Sequence, residues 1–182
     1  MQTALGLIEL SSIAQGYLTA DVMLKAAEVE LVIARTVCSG KFIVIVNGLV
    51  GPVKSSVKAG IEIADFALID SMIIPNIHPD VLPALKGLNV ISETEALGVV
   101  ESFAIASLIE GADIAVKTAN VKLIEVRLAM ALGGKAYFTI TGTVADVTSS
   151  VNAASDFIAE KGALVNKIII PRPRQEIFQE LI

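Results

Sequence analysis

Apolar and polar positions alternate along this chain in blocks too short for long helices and too regular for loops. Ala4 to Leu10 is a short apolar run broken only by Glu9, as in a buried strand. Ser11-Ser12 follow as helix caps, and the spacing predicts a helix from about Ile13 to Ala27. Glu30 to Val37 is rich in β-branched residues and reads as a second strand. Phe42 to Val46 reads as a third, closed by the turn signal Asn47-Gly48. Pro52 suits the first turn of the next helix, which needs no N–H there. That helix is expected to reach about Ala67, with Val53, Val57, Ile61, Ala64 and Leu68 on one face. Leu68 to Ile74 completes the set as a fourth strand, and a short helix follows Pro79.

The same order then returns. Ala4-Leu5-Gly6-Leu7-Ile8-Glu9 reappears as Ala96-Leu97-Gly98-Val99-Val100-Glu101, and Ala20-Asp21 with Lys25 as Ala112-Asp113 with Lys117. Lys41, Gly48, Val53 and Ser55-Ser56-Val57 match Lys135, Gly142, Val147 and Ser149-Ser150-Val151, so the offset grows from 92 to 94 between Arg127 and Lys135. Second-copy strands are expected from Ala96, near Leu123, near Tyr137 and over Leu164 to Ile170. Helices are expected from about Ala104 and Asp146, with a last one containing Ile177, Phe178 and Leu181. Strands interleaved with helices on this scale indicate an α/β fold of the α+β sandwich kind: two tandem domains, 1–90 and 91–182, each a four-stranded antiparallel or mixed sheet with covering helices. Gly87 to Thr94 reads as the linker.

Composition narrows the partners. The 182 residues are 54% hydrophobic with a mean hydropathy of +0.72. That is more apolar surface than a lone domain of this size can hide, which points to burial between subunits. No uninterrupted run approaches the roughly 18 apolar residues of a membrane span. The net charge of −5 and the 4% aromatic share give no basic, aromatic-interleaved patch for nucleic acid. One cysteine excludes an intrachain disulfide, and Met1-Gln2-Thr3-Ala4 carries no export signal; both suit a reducing cytosol.

The copies diverge most at one loop, Cys38-Ser39-Gly40 in the first and Met130-Ala131-Leu132-Gly133-Gly134 in the second. A shared framework with divergent tips places function in the loops. Glu9 and Glu101 interrupt apolar strands and need partners if buried; the matching Arg35 and Arg127 are the expected ones. His78 reads as a surface residue, with Arg172 at the corresponding place in the second copy. One His supports no catalytic triad, and Gly133-Gly134-Lys135 lacks the spacing of a phosphate loop. Acid/base catalysis by either Glu lacks a second titrating group, so the chain reads as a non-enzyme.

The signature A-L-G-[LV]-[IV]-E, then A-D-x-x-x-K, then a Gly-containing loop, then a proline-framed ending, resembles the bacterial microcompartment shell domain. It occurs in matching places in both copies. Two such domains in unpermuted order resemble the tandem-domain shell proteins, which form trimers shaped like hexamers. Thr36 to Phe42 with Ile77-His78-Pro79 is similar to the iron–sulfur type from propanediol-utilisation compartments, although Ser39 stands where that pattern has Pro. The resemblance implies a homotrimeric tile in the shell of a cytoplasmic microcompartment, adjoining hexameric and trimeric shell proteins. It also implies a central [4Fe–4S] cluster held by Cys38 of three subunits, moving electrons across the shell to and from enclosed redox enzymes.

Physically, a cubane usually takes four thiolates and this chain offers one, so only a threefold axis could gather enough. Ser39 and Gly40 would let the backbone approach that axis, with Ala131, Leu132, Gly133 and Gly134 as an apolar collar. The resemblance also assigns Lys25 and Lys117 to lateral contacts between tiles; as bare i, i+4 pairs with Asp21 and Asp113 they would be solvated surface. Three readings of Cys38 stay open: cluster (or zinc) ligand, thiol lining a metabolite pore, and ordinary buried cysteine. A soluble oligomeric regulator binding a small ligand is the reading from a different class.

Overall fold

The computed structural model describes residues 3–87, 95–130 and 132–178. The chain divides into two compact units, residues 1–77 and 78–182. The expected boundary at 90/91 leaves His78–Gly87 with the first unit, whereas its contacts place it in the second. The linker expected at 87–94 lies, after Gly87, outside the described residues.

In the first unit β1 (Ala4–Leu10), α1 (Ile13–Ala26), β2 (Glu30–Val37), β3 (Lys41–Gly48), α2 (Val50–Ala64) and β4 (Leu68–Ile74) follow in order. The sheet order is β2-β3-β1-β4, every neighbouring pair antiparallel. The helix after Pro52 stops at Ala64, and Asp65–Ala67 form a 3-10 turn in place of the expected continuation. Alternation along β1 sends Ala4, Ile8 and Leu10 into the cluster made with Met23, Phe42, Val44, Val46, Val53 and Val57. Gly6 shares that face, and a Cβ there would lie 2.4 Å from Val57 Cγ2 and 2.9 Å from Val53 Cγ1. The glycine is what lets α2 close on the strand. Ser12 caps α1 as expected, its extended backbone presenting Oγ to the Gln15 N–H at 3.3 Å.

The second unit opens with α3 (Val81–Leu85), then β5 (Ala96–Ser102), α4 (Ile105–Thr118), β6 (Lys122–Leu128), β7 (Ala136–Gly142), α5 (Val144–Glu160) and β8 (Leu164–Pro171). Its sheet, β6-β7-β5-β8, is the same design, again wholly antiparallel. Gly98 repeats the close approach, its notional Cβ 2.6 Å from Val151 Cγ2. Thr143 caps α5, accepting from the Asp146 N–H at 3.2 Å. Among the described residues the last element is a 3-10 turn over Gln175–Phe178, where a helix was expected; Leu181, expected in the same helix, lies outside the described residues.

Register corrects one correspondence. Leu5 pairs with Ile74 and Leu97 with Ile170, so the offset has grown to 96 by the last strand. The extra residues sit where the longer α5 ends, before Ala163, the match of Ala67; Ser11 and Phe103 donate to these two carbonyls alike. His78 therefore matches Arg174, not Arg172.

Candidate functional site

Cys38 follows directly on β2. Val37 is buried, Cys38 half-buried, and Ser39 and Gly40 exposed in a single 3-10 turn before β3. Ser39 (φ 67°) and Gly40 (φ 71°) are both left-handed, a conformation natural for Gly and costly for Ser. Proline, locked near φ −65°, cannot occupy position 39 in this backbone, so Ser39 takes a conformation closed to the expected Pro. Apart from its chain neighbours, no atom lies within 4 Å of a Cβ placed on Gly40, so that position faces open space. Cys38 is in no disulfide.

In the matching loop after β6, Cβ atoms placed on Gly133 and Gly134 would likewise meet open space. Ala129 (φ 39°), Gly133 (φ 61°) and Gly134 (φ 87°) are left-handed, Met130 is exposed, and the Lys135 N–H closes the turn on the Leu132 carbonyl at 3.1 Å. Ala131, expected in the collar, lies outside the described residues. Among the described residues no three His, Cys, Asp or Glu side chains of one chain converge on a metal position. A metal site at Cys38 would therefore need several copies.

The strand carboxylates take lysine partners, not the expected arginines. Glu9, buried, pairs with Lys41 at 3.0 Å, and Glu101 with Lys135 at 3.5 Å. Register gives the reason. Glu9 lies opposite Ile43, which lies opposite Arg35, so a whole strand separates carboxylate and guanidinium. Glu101, Tyr137 and Arg127 repeat this spacing. Two strand spacings amount to about 9.5 Å. Lys41 at the start of β3 and Lys135 just before β7 sit diagonally from the carboxylates, within reach of a long side chain. Arg127 instead meets Glu125, its Nε 2.6 Å from Oε2, and that hydrogen bond and charge raise the guanidinium pKa above its ordinary value. Burial, then Glu125, pushes the Tyr137 hydroxyl up as well.

Lys25 and Lys117 close the last turns of α1 and α4, where cations suit the helix dipole. Lys25 pairs with Asp21 at 2.6 Å in solvent; Lys117 pairs with Asp113, whose side chain is only 7% exposed. Asp113 does more than sequence reasoning gave it: Oδ1 accepts from the His78 backbone N–H at 2.7 Å, fixing the segment that leads into α3. His78 itself is local, its Nδ1 accepting from the Asp80 N–H at 3.3 Å. The missed signal was a carboxylate on the buried face of α4, whose second partner only the tertiary structure brings near.

A β2-β3-β1-β4 sheet backed by two helices, built twice in unpermuted order, is the design of a tandem microcompartment shell protein. The chain belongs to the BMC domain family, whose model matches residues 4–77 and 96–173. It is a bacterial microcompartment shell protein, similar to the shell protein PduT of Citrobacter freundii: 42% identical over 182 residues, spanning all of this chain and 99% of that one. The carboxysome assembly protein CcmO of Synechococcus is 31% identical over 98% of this chain and 68% of its own length. A crystal structure of a microcompartments protein from Desulfitobacterium hafniense DCB superposes with a TM-score of 0.93 at 46% identity, covering 97% of this chain and 98% of that one. The fused permuted hexameric shell protein MSM0275 from the RMM microcompartment fits less closely, at 0.63 and 26% over 87% and 82% of the two chains. These relatives are shell components, in keeping with the expected non-enzymatic role. No helix among the described residues is long and apolar enough to cross a membrane.

Proposed function

We propose that three copies of this chain form a pseudohexameric shell tile whose Cys38 residues hold one [4Fe–4S] cluster on the threefold axis. The observation that carries the reading is one half-buried thiol per chain, at the base of an exposed turn with open space beside Gly40. The donor set fits: three thiolates leave one iron of a cubane for a non-protein ligand. Cys38 supplies the thiolate, while Ser39 and Gly40 bring backbone, not bulk, toward the axis. Leu132, Gly133 and Gly134, with Ala131 beside them in sequence, form the apolar collar that limits water and so tunes the potential. Such a cluster supplies one-electron chemistry, serving redox enzymes enclosed in the compartment. Lys25 and Lys117, at the ends of α1 and α4, make the lateral contacts to neighbouring hexameric and trimeric tiles.

The test is anaerobic purification followed by visible spectroscopy and iron analysis. Broad brown absorption with four irons per three chains, lost in Cys38→Ala, is the expected result. Colourless, iron-free protein after anaerobic reconstitution would leave Cys38 as the lining of a metabolite pore and overturn the cluster. For the lysines, sheets or tubes seen by electron microscopy should disappear in the Lys25→Ala/Lys117→Ala variant.

A further inference from the structure

The repeat gives Cys38 a sulfur counterpart. Arg35 lies opposite Ile43 and Arg127 opposite Tyr137, the same rung in each of the two sheets. Three residues beyond each arginine stand Cys38 and Met130. The residues just before them, Val37 and Ala129, are both buried, and there each chain emerges: Cys38 is half-buried and Met130 is 56% exposed. The backbones part at one point. Val37 is extended (φ −130°), whereas Ala129 is left-handed (φ 39°), which is costly for a residue with a Cβ. Strain of this kind gathers at ligand clamps. The chain therefore carries the thioether away from β6 on a different path from the one the thiol takes from β2.

We infer that Met130 is the resting ligand of the iron that three Cys38 thiolates leave open, one of three equivalent thioethers binding at a time. The inference rests on the cluster reading and specifies how its open iron is held. In a pseudohexamer the two domain copies alternate about the axis, so Met130 of each chain faces it between two Cys38. A thioether is a soft donor suited to iron–sulfur centres, and the three rotatable bonds of Met give it reach. Met130 brings neither proton nor charge: its sulfur lone pair forms the bond, a water leaves intact, and no electron moves. A neutral, weak donor also yields to an incoming non-protein ligand, which a fourth thiolate would resist.

The test compares Met130→Leu and Met130→Cys with wild type in the anaerobically purified full chain. Leu keeps the apolar volume and the site is exposed, so folding is spared. Each protein is treated with ferricyanide, which takes one electron from a four-iron cluster and lets the iron without a thiolate leave as a ferrous ion. The three-iron product is paramagnetic, so electron paramagnetic resonance and released iron are followed together. Met130→Leu should lose that iron at least about tenfold faster than wild type. Met130→Cys should lose it no faster than wild type and show a lower reduction potential, because a thiolate then replaces a neutral donor. Equal rates in wild type and Met130→Leu overturn the inference and leave the cluster reading standing. So does a Met130→Cys protein as labile as Met130→Leu, or a Met130→Leu protein that takes up no iron while wild type does. An iron-free wild type overturns the cluster reading itself.

Discussion

Replacing Asp113 isolates one element of the second unit. Its carboxylate is 7% exposed and serves two partners, the His78 N–H at 2.7 Å and Lys117. In Asp113→Ala the N–H loses a charged acceptor, which costs about 1.5–3 kcal/mol. Lys117 is 39% exposed and recovers water, so losing the ion pair adds no more than about 1 kcal/mol. The expected loss is roughly 2–4 kcal/mol. Asp113→Asn keeps an acceptor but not the charge, and should lose about half as much. Urea denaturation of the full chain measures both, and amide exchange should show protection falling first in residues 78–87. A loss below about 0.5 kcal/mol for Asp113→Ala, or equal losses in both variants, would refute the assignment of Asp113 as the acceptor that seats α3.

Four other outcomes follow from the same geometry. Gly6→Ala and Gly98→Ala each drive a methyl into valine side chains and should each cost about 1–3 kcal/mol by thermal or urea unfolding; a neutral effect at both would show that the helices can back away. Lys41→Ala strands the buried Glu9 carboxylate, for an expected loss of about 1–3 kcal/mol in the same assay, below the full cost of breaking a buried pair because Lys41 is 34% exposed. Ser39→Gly relieves a left-handed serine and should stabilise by about 0.5–1 kcal/mol, whereas Ser39→Pro should disorder the loop, as nuclear magnetic resonance of the loop amides can check. Tyr137 binds its proton more tightly folded than unfolded, so its stabilising contribution is full below the ordinary tyrosine pKa of 10.0 and is lost as pH rises above it. In Tyr137→Phe that part of the alkaline decline should be absent.

Local pattern carried the elements, and tertiary geometry decided the partnerships. The bounds of β2 and β4 and the Ser12 cap were legible because β-branched runs, a capping hydroxyl and a fixed repeat are all local signals. The Glu9 partner was not, because equal placement in two strands says nothing about how many strands lie between them; β3 does. Asp113 read as half of a surface pair because its other partner lies 35 residues away in sequence, on a segment whose seat only the fold reveals. The end of α2 was overrun because Asp65 turns left-handed after a helix-compatible sequence. At the candidate site, the cysteine and the glycines were visible, but the left-handed backbone that bars proline from position 39 was not.

The most direct test of the central claim is native mass spectrometry of the anaerobically purified full chain. The account requires three chains carrying one set of four irons and four sulfides, with Cys38→Ala giving three chains alone. A wild-type trimer of bare protein mass after anaerobic reconstitution, or iron retained in Cys38→Ala, would contradict it.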